Sequence, residues 1–407
     1  MNHMRLVYVP SSLPFGVEEA FIIPEIEELT RQGHKVIIVP MYPRGPVLHD
    51  DAKALIGHTV ARPVLSPGIV KAALLESLRA PAKVFRILGW LFQSRSFTIL
   101  LKNLAIYPKG LWLARLARER KADHIHAHWA ATTATMALIA SEVSGTPWSL
   151  TAHRWDIAEN NLLDLKAKRA CFVRAIDIQG AQELESCISS ERPRPVVIHM
   201  GATVPPVTNP GSMAGKPTFH IVVAARLVEK KGHIYLFEAI RLLNIRNVPV
   251  SVDLAGDGPL REDLIHKAMA LGLTKQVTFL GALSHRRLLK QMEAGTWDAL
   301  VLPSITTALG EKEGIPVSLI EAMAHGIPVV STTTGGIPEL LEGGAGLLVP
   351  PKDPVALADA IECLANEPKL GKQLAEAGRK RVEDSFAVES AVAELVRRFE
   401  ACVGRPV

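Results

Sequence analysis

The chain has 407 residues, of which 48% are apolar and 21% are charged, and its formal net charge is +5. A chain of this length exceeds one ordinary hydrophobic core, so two domains are expected. The balance of apolar and charged residues is typical of a globular protein.

The four cysteines are far apart in the sequence, which excludes the spacing of a zinc site and a disulfide framework. A reducing compartment is therefore favoured. The amino terminus lacks the charged leader, apolar run and cleavage site of a signal peptide. No stretch reaches the roughly 18 uncharged apolar residues of a transmembrane helix. The sequence predicts a cytoplasmic protein.

Positive charge is concentrated between Lys71 and Lys121, where eleven Lys and Arg face two Glu, a net charge of +9. Large apolar residues such as Trp90, Phe92 and Trp112 lie among these cations. The mixture favours helices at an anionic membrane surface. It equally suits core residues beneath a solvated face. Because no nucleic-acid-binding fold is recognisable, a nucleic-acid partner is not expected.

The first part of the chain opens with a predicted strand at 5–10, a helix at 17–32 and a strand at 36–40. This order is typical of a doubly wound parallel domain, which binds ligands at the carboxyl ends of its strands. Gly16 lies in the loop at the end of the first predicted strand, where it is either a ligand contact or an ordinary loop glycine. No G-x-G-x-x-G follows the first strand, so a dinucleotide is not indicated.

His124, His126 and His128 alternate along the next predicted strand, so their side chains share one face. No carboxylate nearby in the sequence completes a metal set, and a histidine-lined cleft is favoured over a metal site. The strand at 147–152 ends at His153. That histidine could exchange a proton, donate to an oxyanion or cap the following helix.

Residues 204–217 are rich in Pro, Gly and small polar side chains, which indicates a linker. The predicted division is therefore a first domain at 1–205 and a second at 206–384. The tail at 385–407 carries an amphipathic helix that is expected to pack back on the first domain.

A second β/α series begins at residue 219, and its first strand leads into a loop with Arg226 and Lys231. Two cations on such a loop suit a diphosphate, Arg as a planar fork and Lys as a point charge. The next strand, at 250–255, ends in a tight turn that starts at Gly256.

Two carboxylates, Glu313 and Glu321, flank a predicted helix start. Pro316 is expected at the first helical position and Gly326 just after the last. The unpaired N–H groups at this helix start suit an anion or hydroxyl oxygens.

Glu313 and Glu321, with the residues between and after them, resemble the E-x7-E signature of family 4 retaining glycosyltransferases. Arg226 with Lys231 resembles that family's paired cations, and 256–259 resembles its glycine turn. The resemblance extends over nearly the whole chain and is strongest to bacterial enzymes that build exopolysaccharide or lipid-linked glycans. It implies a GT-B fold: two Rossmann-like domains, each a doubly wound parallel sheet, facing a central cleft.

The resemblance also implies a role for each matched residue. The second domain would bind the nucleotide sugar and the first a glycan or lipid-linked acceptor. Arg226 and Lys231 would hold the donor diphosphate, and Gly256 would form the glycine turn. Glu313 would contact the donor sugar, Glu321 would hold the ribose, and Gly314 and Ile315 would offer backbone N–H groups. From the first domain, Gly16 and His153 would face the donor.

Breaking a sugar–phosphate bond leaves negative charge on the diphosphate, which cations and helix N-termini stabilise. No metal or other cofactor is therefore expected, and no Asp-x-Asp is present to hold one. A retaining glycosidase needs carboxyl groups about 5 Å apart, whereas eight helical residues span about 12 Å. Two alternatives to transfer stay open: a nucleotide-sugar epimerase of GT-B fold and an inactive sugar-binding paralogue.

Overall fold

The computed structural model describes residues 3–16, 19–189, 194–206 and 217–403. The chain divides into two compact units, Met1–His199 with Ala391–Val407, and Met200–Ser390. Each unit contains one six-stranded parallel sheet with helices packed on it, so the predicted doubly wound α/β architecture is confirmed. Residues 207–216, most of the predicted linker, lie outside the described residues, and the boundary at 205/206 stays a prediction.

The sheet of the first unit has the strand order β2-β1-β3-β4-β5-β6. The chain runs outward in opposite directions from β1 and β3, so the crevice expected to bind ligands lies at their carboxyl ends. The strands are Arg5–Val9 (β1), Lys35–Ile38 (β2), His124–His128 (β3), Trp148–Ala152 (β4), Val173–Ala175 (β5) and Val196–Val197 (β6).

Helices cover the sheet of the first unit, and α6 is buried along nearly its whole length. The stretch that was predicted as basic helices forms α3, α4 and α5. The helices are Ile23–Arg31 (α1), Asp50–Ala54 (α2), Pro67–Arg79 (α3), Pro81–Leu91 (α4), Phe97–Glu119 (α5), Thr132–Ser144 (α6), Arg154–Glu159 (α7), Leu163–Arg169 (α8) and Ile178–Cys187 (α9).

The first helix begins later than the predicted residue 17. A short 3-10 turn, Ala20–Ile22, precedes α1. Glu19 lies before that turn and its carboxylate accepts N–H groups from Ser11, Ser12 and Leu13. Residue 19 is therefore held against the loop after β1, and the helix starts only beyond it.

The sheet of the second unit has the order β12-β11-β10-β7-β8-β9, with its change of direction between β10 and β7. The predicted strands at 219–224 and 250–255 match β7 and β8, whose apolar side chains are buried. The strands are Phe219–Ala224 (β7), Val250–Ala255 (β8), Val277–Gly281 (β9), Ala299–Leu302 (β10), Val329–Thr332 (β11) and Leu347–Val349 (β12).

The helices that follow β7 surround this second sheet, and the last of them continues beyond the second unit. From Ala391 onward that last helix belongs to the first unit, where Phe399 is buried against His124 and Phe172. The helices are His233–Ile245 (α10), Arg261–Ala270 (α11), His285–Glu293 (α12), Val317–Ala324 (α13), Ile337–Leu340 (α14), Pro354–Asn366 (α15), Pro368–Ser385 (α16) and Val388–Cys402 (α17).

The predicted start of the helix that follows Glu313 is wrong by one residue. Pro316 has φ −67° and ψ 120°, so it is the N-cap and α13 begins at Val317. The segment before it is held outside the helix, since the carbonyl of Gly314 accepts the N–H of Gly336 at 3.2 Å. Gly326 follows the helix with φ +70°, as predicted.

None of the helices in the described part of the chain is long and apolar enough to cross a membrane. The longest of them, α5, instead carries a buried cation. Lys109 is fully buried, and its Nζ donates to the carbonyls of Pro40 at 2.7 Å, Met41 at 2.7 Å and Arg62 at 2.8 Å. It therefore fixes two loop segments to the helix.

Replacing Lys109 with Met tests this role. The variant leaves three carbonyls unpaired, and each buried unpaired group costs about 1–3 kcal/mol. We expect the free energy of unfolding, measured by urea denaturation, to fall by at least about 2 kcal/mol. The matched control is Lys102→Met on the same helix, which removes an exposed pair with Glu159 and should cost at most about 1 kcal/mol. Equal losses in both variants would contradict the role of Lys109.

Candidate functional site

In the second unit, predicted site residues lie on loops that follow β7 and β8. Arg226 is exposed on the loop between β7 and α10, and Lys231 is largely buried further along it. Gly256 follows β8 and lies against this loop: a Cβ there would stand 1.8 Å from the carbonyl oxygen of Ala225. Only glycine fits so close to a neighbouring backbone, so the turn at Gly256 supports the loop that carries both cations.

Lys231 and Glu313 are in direct contact. The Nζ of Lys231 is 3.1 Å from Oε1 of Glu313, and the Nζ of Lys230 is 4.0 Å from the same oxygen. The Glu313 side chain is nearly buried, so water screens this ion pair less than it screens a surface pair. Both residues were predicted at the site, and the pairing between them was not.

The start of α13 presents unused backbone donors. Within the described residues, the N–H groups of Gly314 and Ile315 make no hydrogen bond. Val317 and Ser318 begin the helix, where N–H groups have no partner in the helix itself. Together these groups form a donor edge beside Glu313, of the kind that binds an anion or hydroxyl oxygens.

Glu321 has a different partner. Its Oε1 lies 2.7 Å from Nε2 of His285, the first residue of α12. The two glutamates therefore do not act as one carboxylate pair, since each has its own basic partner. His285 was missed by sequence reasoning, because it lies far from Glu321 in the chain and carries no motif of its own.

In the first unit, His153 follows β4 and is the N-cap of α7. It forms a capping box with Asp156, whose Oδ1 accepts the His153 N–H at 2.6 Å. The other oxygen of Asp156 accepts the N–H of Ala130 at 2.5 Å. Burial raises the pKa of Asp156 to about 7, although the N–H donors and the nearby Lys166 lower that pKa. The capping alternative for His153 is therefore realised, and its ring nitrogen Nε2 also lies 2.8 Å from Nε2 of His128.

The three alternating histidines of β3 are all fully buried. His124 contacts the hydroxyl of Ser149, and His126 contacts Ser149 and Thr151. Burial lowers the pKa of His124 to about 3 and the pKa of the other two well below the ordinary value. All three are held as neutral rings.

A carboxylate does join these histidines, contrary to the prediction. Glu25 comes from α1, and its oxygen lies within 4.8 Å of ring nitrogens of His126 and His128. The sequence could not indicate this, because the helix packs across the sheet from a distant part of the chain. Glu25 already bonds Arg174 at 2.6 Å and the hydroxyl of Tyr8. A divalent cation would have to replace these partners beside the Arg174 charge, so the group suits a hydrogen-bond network better than a metal.

The loop after β1 carries Gly16, which has φ +76° and donates its N–H to Pro46 at 3.0 Å. Glu19 ties this loop to β3, because its Oε1 also accepts the indole N–H of Trp129 at 2.6 Å. The Trp129 ring in turn lies 4.2 Å from the ring of His153. Glu19 thus links the loop after β1 to Trp129 and, through that ring, to His153. Sequence reasoning missed Glu19 and Trp129.

Comparison with known proteins supports a class. Residues 213–381 match the family model described as Glycosyl transferases group 1. The amylovoran biosynthesis glycosyltransferase AmsK of Erwinia amylovora is 36% identical over 182 residues, which are 44% of each chain. The N-acetyl-alpha-D-glucosaminyl L-malate synthase of Bacillus anthracis is 24% identical over 72% of this chain and 77% of its own.

The crystal structure of Anabaena Alr3699/HepE in complex with UDP-glucose covers 98% of this chain and 100% of its own, with a TM-score of 0.73 and 19% identity. The predicted GT-B fold is thereby confirmed. The family match and the relatives support a glycosyltransferase family of GT-B fold. The chain spans less than half the length of the Erwinia relative, 44%.

A matched pair of glycine substitutions tests the packing that holds Glu313. Gly335 has φ +60°, and a Cβ there would stand 2.0 Å from the carbonyl oxygen of Glu313. Gly326 has φ +70° and open space around it. We expect Gly326→Ala to lower the free energy of unfolding by about 1 kcal/mol from backbone strain alone. Gly335→Ala should cost at least about 2 kcal/mol more, since it also overpacks the loop. Similar urea midpoints for the two variants would contradict the tight contact at Glu313.

Proposed function

We propose that the protein is a retaining glycosyltransferase. It moves a sugar from a nucleotide-diphosphate sugar to a glycan or lipid-linked acceptor in cell-surface polysaccharide biosynthesis. The observation that carries the proposal is the contact between Lys231 and Glu313 at the donor edge of α13. The amylovoran enzyme of Erwinia supports the polysaccharide assignment by its name.

The leaving diphosphate is the part of the donor that needs positive charge. Arg226 and Lys231 lie on one loop, and the start of α13 adds N–H donors and the positive end of a helix dipole. These groups stabilise the charge that develops when the sugar–phosphate bond breaks. In this proposal the protein supplies that charge itself, and transfer continues in the presence of EDTA.

Glu313 and Lys231 neutralise each other before a donor binds. When a nucleotide sugar enters, its diphosphate offers Lys231 a stronger partner, and the hydroxyl groups of the sugar offer Glu313 hydrogen-bond donors. The ion pair is thus exchanged for two contacts with one ligand. Retention of configuration follows in this proposal from displacement on the same face of the sugar, with the leaving phosphate taking the acceptor proton.

Glu321 is assigned to the ribose of the nucleotide. His285 bonds one of its carboxylate oxygens, which fixes the orientation of the group toward a vicinal diol. From the first domain, His153 and the loop of Gly16 are assigned to the donor sugar and the diphosphate. The turn at Gly256 and the N–H groups of Gly314 and Ile315 complete the donor site.

Replacing Glu313 with Gln tests the central assignment. We expect transfer to be abolished, while the affinity for the nucleoside diphosphate stays the same or rises, because Lys231 is released from its carboxylate partner. The measurement is nucleoside diphosphate release together with a binding titration. The matched control is Glu311→Gln, an exposed side chain on the same loop, which should leave both unchanged. Near-normal turnover in Glu313→Gln would make the role of Glu313 wrong.

The donor is identified by thermal shift with a set of nucleotide sugars, since a bound ligand stabilises the fold by mass action. A coupled assay then separates the alternatives. Nucleoside diphosphate released only with an acceptor indicates a transferase, and an epimerised donor indicates an epimerase. Donor binding without any turnover indicates an inactive paralogue.

We also propose that α3, α4 and α5 contact an anionic bilayer that holds the acceptor, at the cytoplasmic face. Each of these helices, or the turn after it, exposes large apolar side chains. Val70, Leu74 and Leu78 are spaced four residues apart on α3, and Phe85 on α4 is 73% exposed. The first part of α3 also lines a groove of about 610 Å³. These exposed apolar side chains are more numerous than the isolated ones that are normal on a protein surface.

The exposed cations on this face are fewer than the sequence indicated. Lys109 is buried, Arg118 pairs with Glu76, and Lys102 pairs with Glu159. Lys71, Arg79 and Arg95 stay exposed among the apolar side chains. These three are assigned to the lipid phosphates.

The triple variant Lys71→Glu, Arg79→Glu and Arg95→Glu tests the membrane assignment. Each cation at an anionic surface contributes about 1 kcal/mol, so we expect binding to phosphatidylglycerol vesicles to fall roughly a hundredfold or more. The matched control makes the same charge change at Lys275, Lys369 and Lys372, which are exposed in the second unit. Equal weakening by both triple variants, or no vesicle binding by the parent, would remove this assignment.

A further inference from the structure

A chain of buried hydrogen bonds leads from a charged pair to His153. Arg174 donates to Oε2 of Glu25 at 2.6 Å, and Oε1 of Glu25 accepts the hydroxyl of Tyr8. The Tyr8 oxygen lies 3.0 Å from Nδ1 of His128, whose Nε2 lies 2.8 Å from Nε2 of His153. Four of the five side chains are almost completely inaccessible, and His153 at the end of the chain is 9% exposed.

The charged end sets the direction of every proton in this chain. An Arg side chain only donates, and the carboxylate of Glu25 beside it only accepts. Tyr8 has one hydroxyl hydrogen, and it goes to Glu25. The Tyr8 oxygen must therefore accept from His128, which places a hydrogen on Nδ1 of that ring.

His128 has only one ring hydrogen to give. Burial and the neighbouring His153 hold the pKa of His128 well below its ordinary value, so the ring is neutral and carries one N–H. Burial and the nearby Glu25 raise the pKa of Tyr8, which keeps its hydroxyl protonated. With Nδ1 as the donor, Nε2 of His128 is a lone-pair acceptor. The hydrogen between the two rings must then belong to His153.

We infer that Tyr8 and His128 are positioning residues that fix the proton of His153 on Nε2 and turn that N–H toward the protein interior. His153 then serves the donor site as a ring of fixed orientation, and its Nε2–H is not offered to the substrate. The capping box with Asp156 holds the backbone at the same residue. This inference rests on the proposed function only where it gives His153 a role in sugar transfer.

The proton positions are measured without any activity assay. In protein labelled with ¹⁵N-histidine, two-bond proton–nitrogen correlations show which ring nitrogen carries the hydrogen. The signals of His153 are assigned by their loss in His153→Gln. We expect His153 with its hydrogen on Nε2 and a second buried ring, His128, with its hydrogen on Nδ1. A hydrogen on Nδ1 of His153 in the unaltered protein overturns the inference.

Tyr8→Phe removes the hydroxyl that links Glu25 to His128, and so it interrupts the chain of hydrogen bonds next to its charged end. His128 loses the acceptor for its Nδ1–H, so the direction is no longer imposed, and we expect the His153 signals to move toward the other tautomer. We expect kcat to fall about tenfold, as for outer partners of other functional side chains, with the KM for the donor changed less than about twofold. If Tyr8→Phe fails to fold, the spectrum of the unaltered protein decides alone.

The matched control is Tyr107→Phe, which removes a partly buried hydroxyl that donates to the carbonyl of Val84 at 3.3 Å, outside this chain. It should leave the His153 signals and kcat unchanged. A Tyr8→Phe protein with both the tautomer and kcat of the parent overturns the positioning role. Failure of the proposed function is seen separately, as absence of nucleoside diphosphate release with every donor, while the tautomer measurement still stands.

Discussion

The buried ion pair between Arg174 and Glu25 is the interaction on which the first unit depends. Both groups lie almost out of reach of water, where an unpaired charge costs several kcal/mol, about 3–5 when one partner of such a pair is removed. Arg174 also donates to the carbonyls of Ile198 at 2.8 Å and His199 at 2.7 Å. The pair therefore joins α1 to β5 and to the end of the sheet, and the polar chain that reaches His153 begins there.

The second unit depends on a different constraint, which is close packing of backbone. Glycine turns at Gly256 and Gly335 bring neighbouring loops nearer than any side chain allows. The Lys231–Glu313 pair sits between such loops, so its geometry is set before a ligand arrives. For the transfer proposed above, such preorganisation reduces the reorganisation that the reaction requires.

Much of the fold could be predicted from the sequence, and only part of the site. Buried parallel strands such as β7 and β8 are rich in apolar residues, a pattern that the sequence displays directly. Arg226, Lys231, Glu313 and Glu321 could be predicted as candidates because they sit in local motifs. Glu25 and His285 were missed, since their partners Arg174 and Glu321 are distant in sequence and only tertiary packing joins them. The shift at Pro316 has a similar cause, a contact of the preceding segment with the loop at Gly336.

The last helix has a consequence for how the protein is made. Residues from Ala391 onward complete the core of the first unit, where Phe399 covers His124 and Phe172. The ribosome makes these residues after the whole of the second unit, which is one continuous segment. The second unit can therefore fold while synthesis continues. The first unit, although its strands emerge earlier, reaches its finished core only when α17 has been made.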